Sequence, residues 1–230
     1  MLDEVIPNVY RLAAGYVNLY LCEEADGLTL IDCGTPKKQA LVWDAIAELG
    51  RQRSDLKQII VTHADYDHAG SLAAIQAESG AKVFAGAETA VLLQSGKSPK
   101  HMPWPVQFIL NNFIRFKPVP ATAIEIVADG AMLPIMDGIQ VLATPGHTMD
   151  HHAFYNPTHG ILFTGDALNT RDGRLQSTPP RITANQEAAR QSAIRLLELT
   201  PAAIACGHGD PSVNHTSNDL MQLFNQLRQN

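Results

Sequence analysis

The sequence predicts an α/β protein, and two β-sheets packed face to face with helices outside, a four-layer arrangement, would accommodate its elements. Three observations carry this expectation. Short apolar runs of strand type alternate with helical stripes. The plan of strands followed by helices occurs in both halves of the chain, without a residue-level repeat. Four of the apolar runs end in short loops rich in His and Asp. With 230 residues, 45% of them hydrophobic, the chain is long enough for a sizeable core, and residues 1–230 read as one domain.

The elements follow in order. "NVYRLAA", "VNLYLCEE" and "GLTLIDCG" hold β-branched and aromatic residues between Gly and Asp, and predict antiparallel strands. "TPKKQALVWDAIAELG" places Leu41, Trp43, Ala45, Ile46 and Leu49 near one stripe, with Pro36 in the first turn and Gly50 as the stop. "KQIIVT" is a run of buried-strand type. "AGSLAAIQAESG" then predicts a helix, "AKVFAG" a strand and "AETAVLLQSG" a helix, an alternation that calls for parallel strands. From Lys97 to Pro120 the pattern breaks: five prolines flank an apolar middle of Phe108, Ile109, Leu110, Phe113, Ile114 and Phe116. This is an insertion, helical at its centre, suited to a lid over a pocket or to an interface such as a homodimer contact. Beyond it, "AIEIVADG", "IQVLATPGHT" and "HHAFYNPTHGILFTGD" predict strands and turns. "NQEAARQSAIRLLELT" predicts a helix, "AAIACGHGD" a strand and loop, and "SNDLMQLFNQLRQ" a closing helix.

Composition excludes several function classes. Seventeen basic residues stand against 23 acidic ones, for a net charge of −6 with no basic stripe, which argues against nucleic acid as a partner. "MLDEVIPNVYRLAAGY" has acids where a secretion signal needs positive charge, and no apolar run reaches the roughly 20 residues of a membrane helix. A cytoplasmic protein acting on a small molecule is the expectation. Cys22, Cys33 and Cys206 form no CxxC pair and suit reduced thiols.

The chemistry lies in the four loops: "THADYDH" after "QIIV", "PGHT" after "IQVLAT", "TGD" after "GILF" and "GHGD" after "AAIAC". Each has an ordinary explanation alone. A single loop histidine such as His159 or His215 is usually solvated, Asp166 after Gly is a common turn residue, and Asp67 could cap a helix starting near Ala69. Together, His63, Asp65, Asp67, His68, His147, Asp166 and His208 are metal-ligand types at strand ends, where rigid elements aim loop residues at one centre.

The loop "THADYDHAG" resembles the HxHxDH signature of the metallo-β-lactamase superfamily, with His147, Asp166 and His208 following in that family's order. "IDCG", with Asp32 and Gly34, is similar to its first motif, whose aspartate supports the metal loop. The resemblance runs from about residue 5 to residue 213, apart from the 97–120 insertion. It implies the αββα sandwich and two divalent metal ions. One would take His63, Asp65 and His147, the other Asp67, His68 and His208, with Asp166 bridging. Where the family has its second histidine, this chain has Asp65. Three carboxylates and a hydroxide then neutralise four positive charges, whereas a histidine at 65 would leave the cluster at plus one. Zinc is the first expectation for the metal, and the added hard oxygen ligand moves preference toward iron or manganese.

The implied activity is a dinuclear metal-dependent hydrolase of a small ester, lactone, thioester or related acyl compound, using a hydroxide that Asp67 orients. No GxSxG supplies a separate nucleophile. Cys206 ends an apolar run and reads as a buried thiol. One of His151 and His152 is a candidate for orienting a ligand, and His101 reads as a surface loop residue. Asn169 stands where acyl-homoserine lactonases of the family often have tyrosine. The alternative is oxidoreduction at a di-iron or mononuclear iron centre, flavodiiron-like or thiol-oxidising. A flavodiiron protein also needs a flavodoxin-like domain, for which this sequence has no spare length. A metal-stabilised binding protein without catalysis ranks last, because no ligand type is lost outright.

The charge count gives a first test. Asp65→His should lower the pH optimum of nitrophenyl ester hydrolysis with zinc bound, because water beside a more positive centre ionises more readily. A pH–rate profile unchanged at equal metal loading would place Asp65 outside the ligand set.

Overall fold

A computed structural model describes residues 2–213 and 217–229; His215 and the side chain of Leu110 lie outside the described residues. The first half builds a seven-stranded sheet from β1 (Asp3–Ile6), β2 (Val9–Ala13), β3 (Asn18–Glu24) and β4 (Gly27–Ile31), then, after α1 (Gln39–Glu48), from β5 (Leu56–Ile60). Two short helices, α2 (Tyr66–Ala69) and α3 (Leu72–Ser79), lead to β6 (Lys82–Gly86). Two more, α4 (Ala87–Ser95) and α5 (Trp104–Phe113), precede β7 (Ile124–Val127). The strands lie side by side in chain order. Short turns join β1 to β4 as antiparallel neighbours, and helical crossovers make β4 to β7 parallel.

The second half forms a five-stranded sheet. Its strands are β8 (Met132–Leu133), β9 (Ile139–Ala143), β10 (His152–Asn156) and β11 (Ile161–Gly165). A small ribbon of β12 (Leu168–Asn169) and β13 (Gln176–Ser177) and the helix α6 (Gln186–Glu198) come before β14 (Ala203–Cys206), and α7 (Ser217–Gln229) follows it. The spatial order is β14-β11-β10-β9-β8, and only the β11–β14 pair, joined through α6, is parallel.

Alternation along the strands explains the four layers. In β3, Leu19 and Leu21 face the outer helices beside Trp43, Ile46, Leu72 and Ile75, whereas Tyr20 and Cys22 face the other sheet. In β11, Ile161 and Phe163 meet that central layer, and Leu162 turns outward to Leu196, Leu197 and Leu223 of α6 and α7. Successive residues thus enter different apolar layers, which is why these strands read as continuous apolar runs. Cys206 is buried under α6 and α7, and burial pushes its thiol up to about 12, the behaviour of a packing residue.

Two expectations about helix starts are corrected. Helix α1 opens at Gln39 after Lys38, and Pro36 lies before it, packed so closely on Gly70 that a Cβ there would strike the proline ring and the Tyr66 carbonyl. The helix expected from Ala69 begins at Leu72 as α3, and Ala69 instead closes α2, so Asp67 lies inside α2 and caps no helix there. Asp65 occupies the N-cap position of α2, yet its side chain makes no capping hydrogen bond. As expected, the 97–120 insertion is helical at its centre, α5, with Trp104, Phe108 and Phe113 exposed on its surface.

Phe154 is fully buried between the two sheets. Phe154→Ala should therefore destabilise the fold by about 3–5 kcal/mol, read as a lower urea midpoint with little change in slope.

Candidate metal centre

All seven residues singled out from the sequence converge at one end of the two sheets. The loop after β5 supplies His63 and Asp65, α2 supplies Asp67 and His68, and the ends of β9, β11 and β14 lead to His147, Asp166 and His208. Hydrogen bonds behind the imidazoles fix their direction. Asp32, held at a left-handed φ of 59° just after β4, accepts from the Thr62 backbone N–H at 2.9 Å and the Thr62 hydroxyl at 2.8 Å. It also accepts from Nδ1 of His68 at 2.8 Å. The Thr62 hydroxyl, its proton committed to Asp32, accepts from Nδ1 of His63 at 2.9 Å. Nδ1 of His208 donates to the Tyr16 carbonyl at 2.6 Å, and the Tyr16 ring stacks on the imidazole. Nδ1 of His147 lies 3.2 Å from the Thr178 hydroxyl. Each Nδ1 is thus occupied from behind, and each Nε2 lone pair points to the centre.

At the centre, Nε2 of His68 lies 3.3 Å from Oδ1 of Asp166, while Oδ2 of Asp166 lies 3.4 Å from Nε2 of His147 and 3.2 Å from Nε2 of His208. Asp166 therefore stands between two groups. Oδ2 of Asp67 is 3.8 Å from Nε2 of His208, and Oδ2 of Asp65 is 3.5 Å from His63 and 3.4 Å from His147. Close packing is part of the design: a Cβ on Gly207 would lie 2.6 Å from Oδ1 of Asp166 and 2.7 Å from Cε1 of His68.

Three histidines outside the seven take distinct places. His101, expected on the surface, has a fully buried side chain with Nε2 3.2 Å from Oδ2 of Asp65. The reason is local: Oε1 of Gln107 accepts from the backbone N–H groups of His101 and Met102 at 3.1 and 3.2 Å, folding this stretch inward. His151 accepts from the Asp166 backbone N–H at 3.0 Å through Nε2, and its Nδ1 meets the Thr144 hydroxyl at 2.7 Å, so it positions the aspartate. His152 turns away to the Asp150 carbonyl. Asn169 donates to the Ser177 carbonyl within the β12–β13 ribbon, and His159 remains on the surface.

Burial raises the cost of charge here, but neighbours decide its sign. Against burial, His208 and His68 hold the Asp166 carboxyl well below the usual range, and His147 and His63 do the same for Asp65. Against burial again, Asp166 and Asp32 push His68 upward, and Asp65 and Asp166 raise His147. Burial wins at His101 and His151, whose pKa values are lowered.

The donor set fits divalent cations. Nε2 of His63, His68, His101 and His147, with Oδ1 of Asp65 and of Asp166, are buried with no hydrogen-bond partner, an expensive state for polar atoms. Their spacing also fits, since two ligands about 2.0–2.1 Å from one tetrahedral ion lie roughly 3.3 Å apart. Among the described residues, the ligand atoms of His63, His147 and Asp166 lie within 4.8 Å of one another, as do those of Asp67, His68 and His208 and those of Asp65, His101 and His147.

The profile of the metallo-beta-lactamase superfamily matches residues 12–208. The chain belongs to that superfamily. It is 31% identical to the uncharacterized protein YobT of Bacillus subtilis over 204 residues, 84% of this chain and 83% of that one. It is 32% identical to a hydroxyacylglutathione hydrolase of Idiomarina loihiensis over 165 residues, 70% of this chain and half of the relative. The crystal structure of a metallo-beta-lactamase family protein from Thermus thermophilus superposes with a TM-score of 0.75 at 23% identity, covering 98% of this chain and 81% of that one, and shows the same fold. No helix among the described residues is long and apolar enough to cross a membrane.

Asp32→Asn tests the bonds behind the histidines, because an amide nitrogen at the Oδ2 position cannot accept from Nδ1 of His68. Zinc affinity, measured by competition with a chromophoric chelator, should fall about 10–100-fold; an unchanged affinity would mean that His68 needs no such support.

Proposed function

We propose that this metal-dependent hydrolase is dinuclear and acts on a small ester, lactone or thioester. His63, Asp65 and His147 would hold one ion, Asp67, His68 and His208 the other, and Asp166 would serve both. One observation carries the reading: buried Nε2 atoms of His63, His68 and His147 and carboxylate oxygens of Asp65 and Asp166 converge from three loops without hydrogen-bond partners, with Asp67 and His208 in ligand reach of His68. Zinc suits the mixed nitrogen and oxygen donors. Bound there, the ions would supply the positive charge that polarises an acyl carbonyl and acidifies water.

The side chains divide the remaining work. Asp67 is the most open of the three carboxylates, 12% exposed against 8% for Asp65 and Asp166, and so is the one placed to meet an incoming water. Oδ2 of Asp67 would orient that water and take its proton as the oxygen adds to the acyl carbon. The carbon–oxygen or carbon–sulfur bond then breaks, and the same proton returns to the departing alkoxide or thiolate. Asp32 and the carbonyl of Tyr16 keep His68 and His208 aimed during this exchange. The similarity to a hydroxyacylglutathione hydrolase favours a thioester within the substrate set.

Elemental analysis of the purified protein should give two zinc ions per chain, with turnover of acyl thioesters. Asp166→Ala should lower both metal content and turnover, the latter by more than about 100-fold, beyond the range of groups that only support ligands. Full activity with both ions retained would refute the assignment, and bound iron without thioester turnover would favour an oxidoreductase.

A further inference from the structure

We infer that His101, carried by the 97–120 insertion, is itself a ligand of the metal centre, supplying the imidazole that position 65 lacks and fastening the insertion to the site. The inference rests on the dinuclear reading above. The four loops present only four inward imidazoles, those of His63, His68, His147 and His208, because Asp65 stands where a fifth would be. His101 brings the number back to five from elsewhere in the chain.

Its geometry is that of a ligand and not of a packed loop residue. The side chain is completely buried, and its Nε2 has no hydrogen-bond partner. Nε2 lies 3.2 Å from Oδ2 of Asp65, matching the 3.4 and 3.5 Å that separate the same oxygen from His147 and His63. One carboxylate oxygen thus faces three imidazole nitrogens at nearly equal distance. The spacing is that of donors sharing a cation, roughly 3.3 Å for tetrahedral zinc. Oε1 of Gln107 accepts from the peptide N–H groups on either side of the His101 Cα, so the imidazole is presented from a fixed point.

The same contact explains how an apolar segment stays in place. Beyond α5, Phe116 and Val119 enter the outer core layer, and the Val119 N–H donates to the Leu93 carbonyl. Between that anchor and His101, Trp104 is 80% exposed and Phe113 76% exposed. A bond from His101 to the centre would hold the near end of the insertion as the core holds its far end. Metal uptake would then order the insertion as well as the reacting groups.

Wild type, His101→Ala and the double variant Asp65→His with His101→Ala would be compared by zinc competition with a chromophoric chelator. The visible spectrum of the cobalt(II)-loaded forms and limited proteolysis of the insertion, with and without zinc, would complete the set. Circular dichroism checks folding. His101→Ala should weaken one of the two zinc ions by more than about tenfold, alter the cobalt spectrum, and abolish the protection that zinc gives to residues 100–115. The double variant, with its fifth imidazole moved to position 65, should recover zinc affinity and not that protection. Two ions bound by His101→Ala with wild-type affinity and spectrum would overturn the role of His101 alone. A wild type that binds no divalent ion would overturn the dinuclear reading with it.

Discussion

The centre is governed by the cost of gathering ionisable groups where water scarcely reaches. Asp65, Asp67 and Asp166 lie together with five imidazoles, none of these side chains more than 12% exposed. Two unit charges about 4 Å apart interact by about 4 kcal/mol even at an effective dielectric constant of 20. Three carboxylates cannot share such a space without compensating positive charge. Two divalent cations, held by neutral imidazoles and these carboxylates, would provide it. The Nδ1 contacts of His63, His68, His147 and His208 follow from the same constraint, because an imidazole free to turn would present the wrong atom to the centre.

The sandwich is what makes the gathering rigid. Each sheet delivers its loops to the same edge, and backbone hydrogen bonds join the two halves there. The His152 N–H donates to the Thr62 carbonyl at 2.8 Å, and the Asn18 N–H donates to the Gly207 carbonyl at 2.8 Å. The Asn18 side chain reaches the carbonyls of Cys206 and Gly209, and the Tyr20 hydroxyl that of Cys206. Cys206 thus serves the site through its backbone while its thiol packs under α6. Beneath these ties lies the apolar layer of Tyr20, Ile31, Ile60, Phe154 and Phe163, which fixes the spacing of the sheets.

Most of this was legible in the sequence, for identifiable reasons. Strands buried on both faces appear as apolar runs, and the seven acids and histidines stand immediately after them, so both layers and loops could be read. The strands missed are short ones. β8, β12 and β13 have two residues each, too few for a period to emerge, and β1 begins with two exposed acids. Tyr16 was hidden because its carbonyl does the work, and any residue has one. Thr178 lies in a ribbon with no pattern of its own. His101 was misplaced because nothing beside it in "KHMPWP" signals burial; its position depends on Gln107, one turn into α5, whose amide has no distinctive neighbour in sequence. Between His151 and His152 the sequence could not choose, since they straddle the start of β10 and only the structure decides which one meets Asp166.

The ties between the halves bear on how the chain matures. His63, Asp65, Asp67, His68 and His101 leave the ribosome well ahead of His147, Asp166 and His208, which await the second sheet. An emerging first half would offer a cation a crowd of donors with no Asp166 to divide it and no Gly207 to hold it close. A complete set of donors would thus be offered to a cation only once β14 docks beside β11 and the 206–209 loop reaches Asn18.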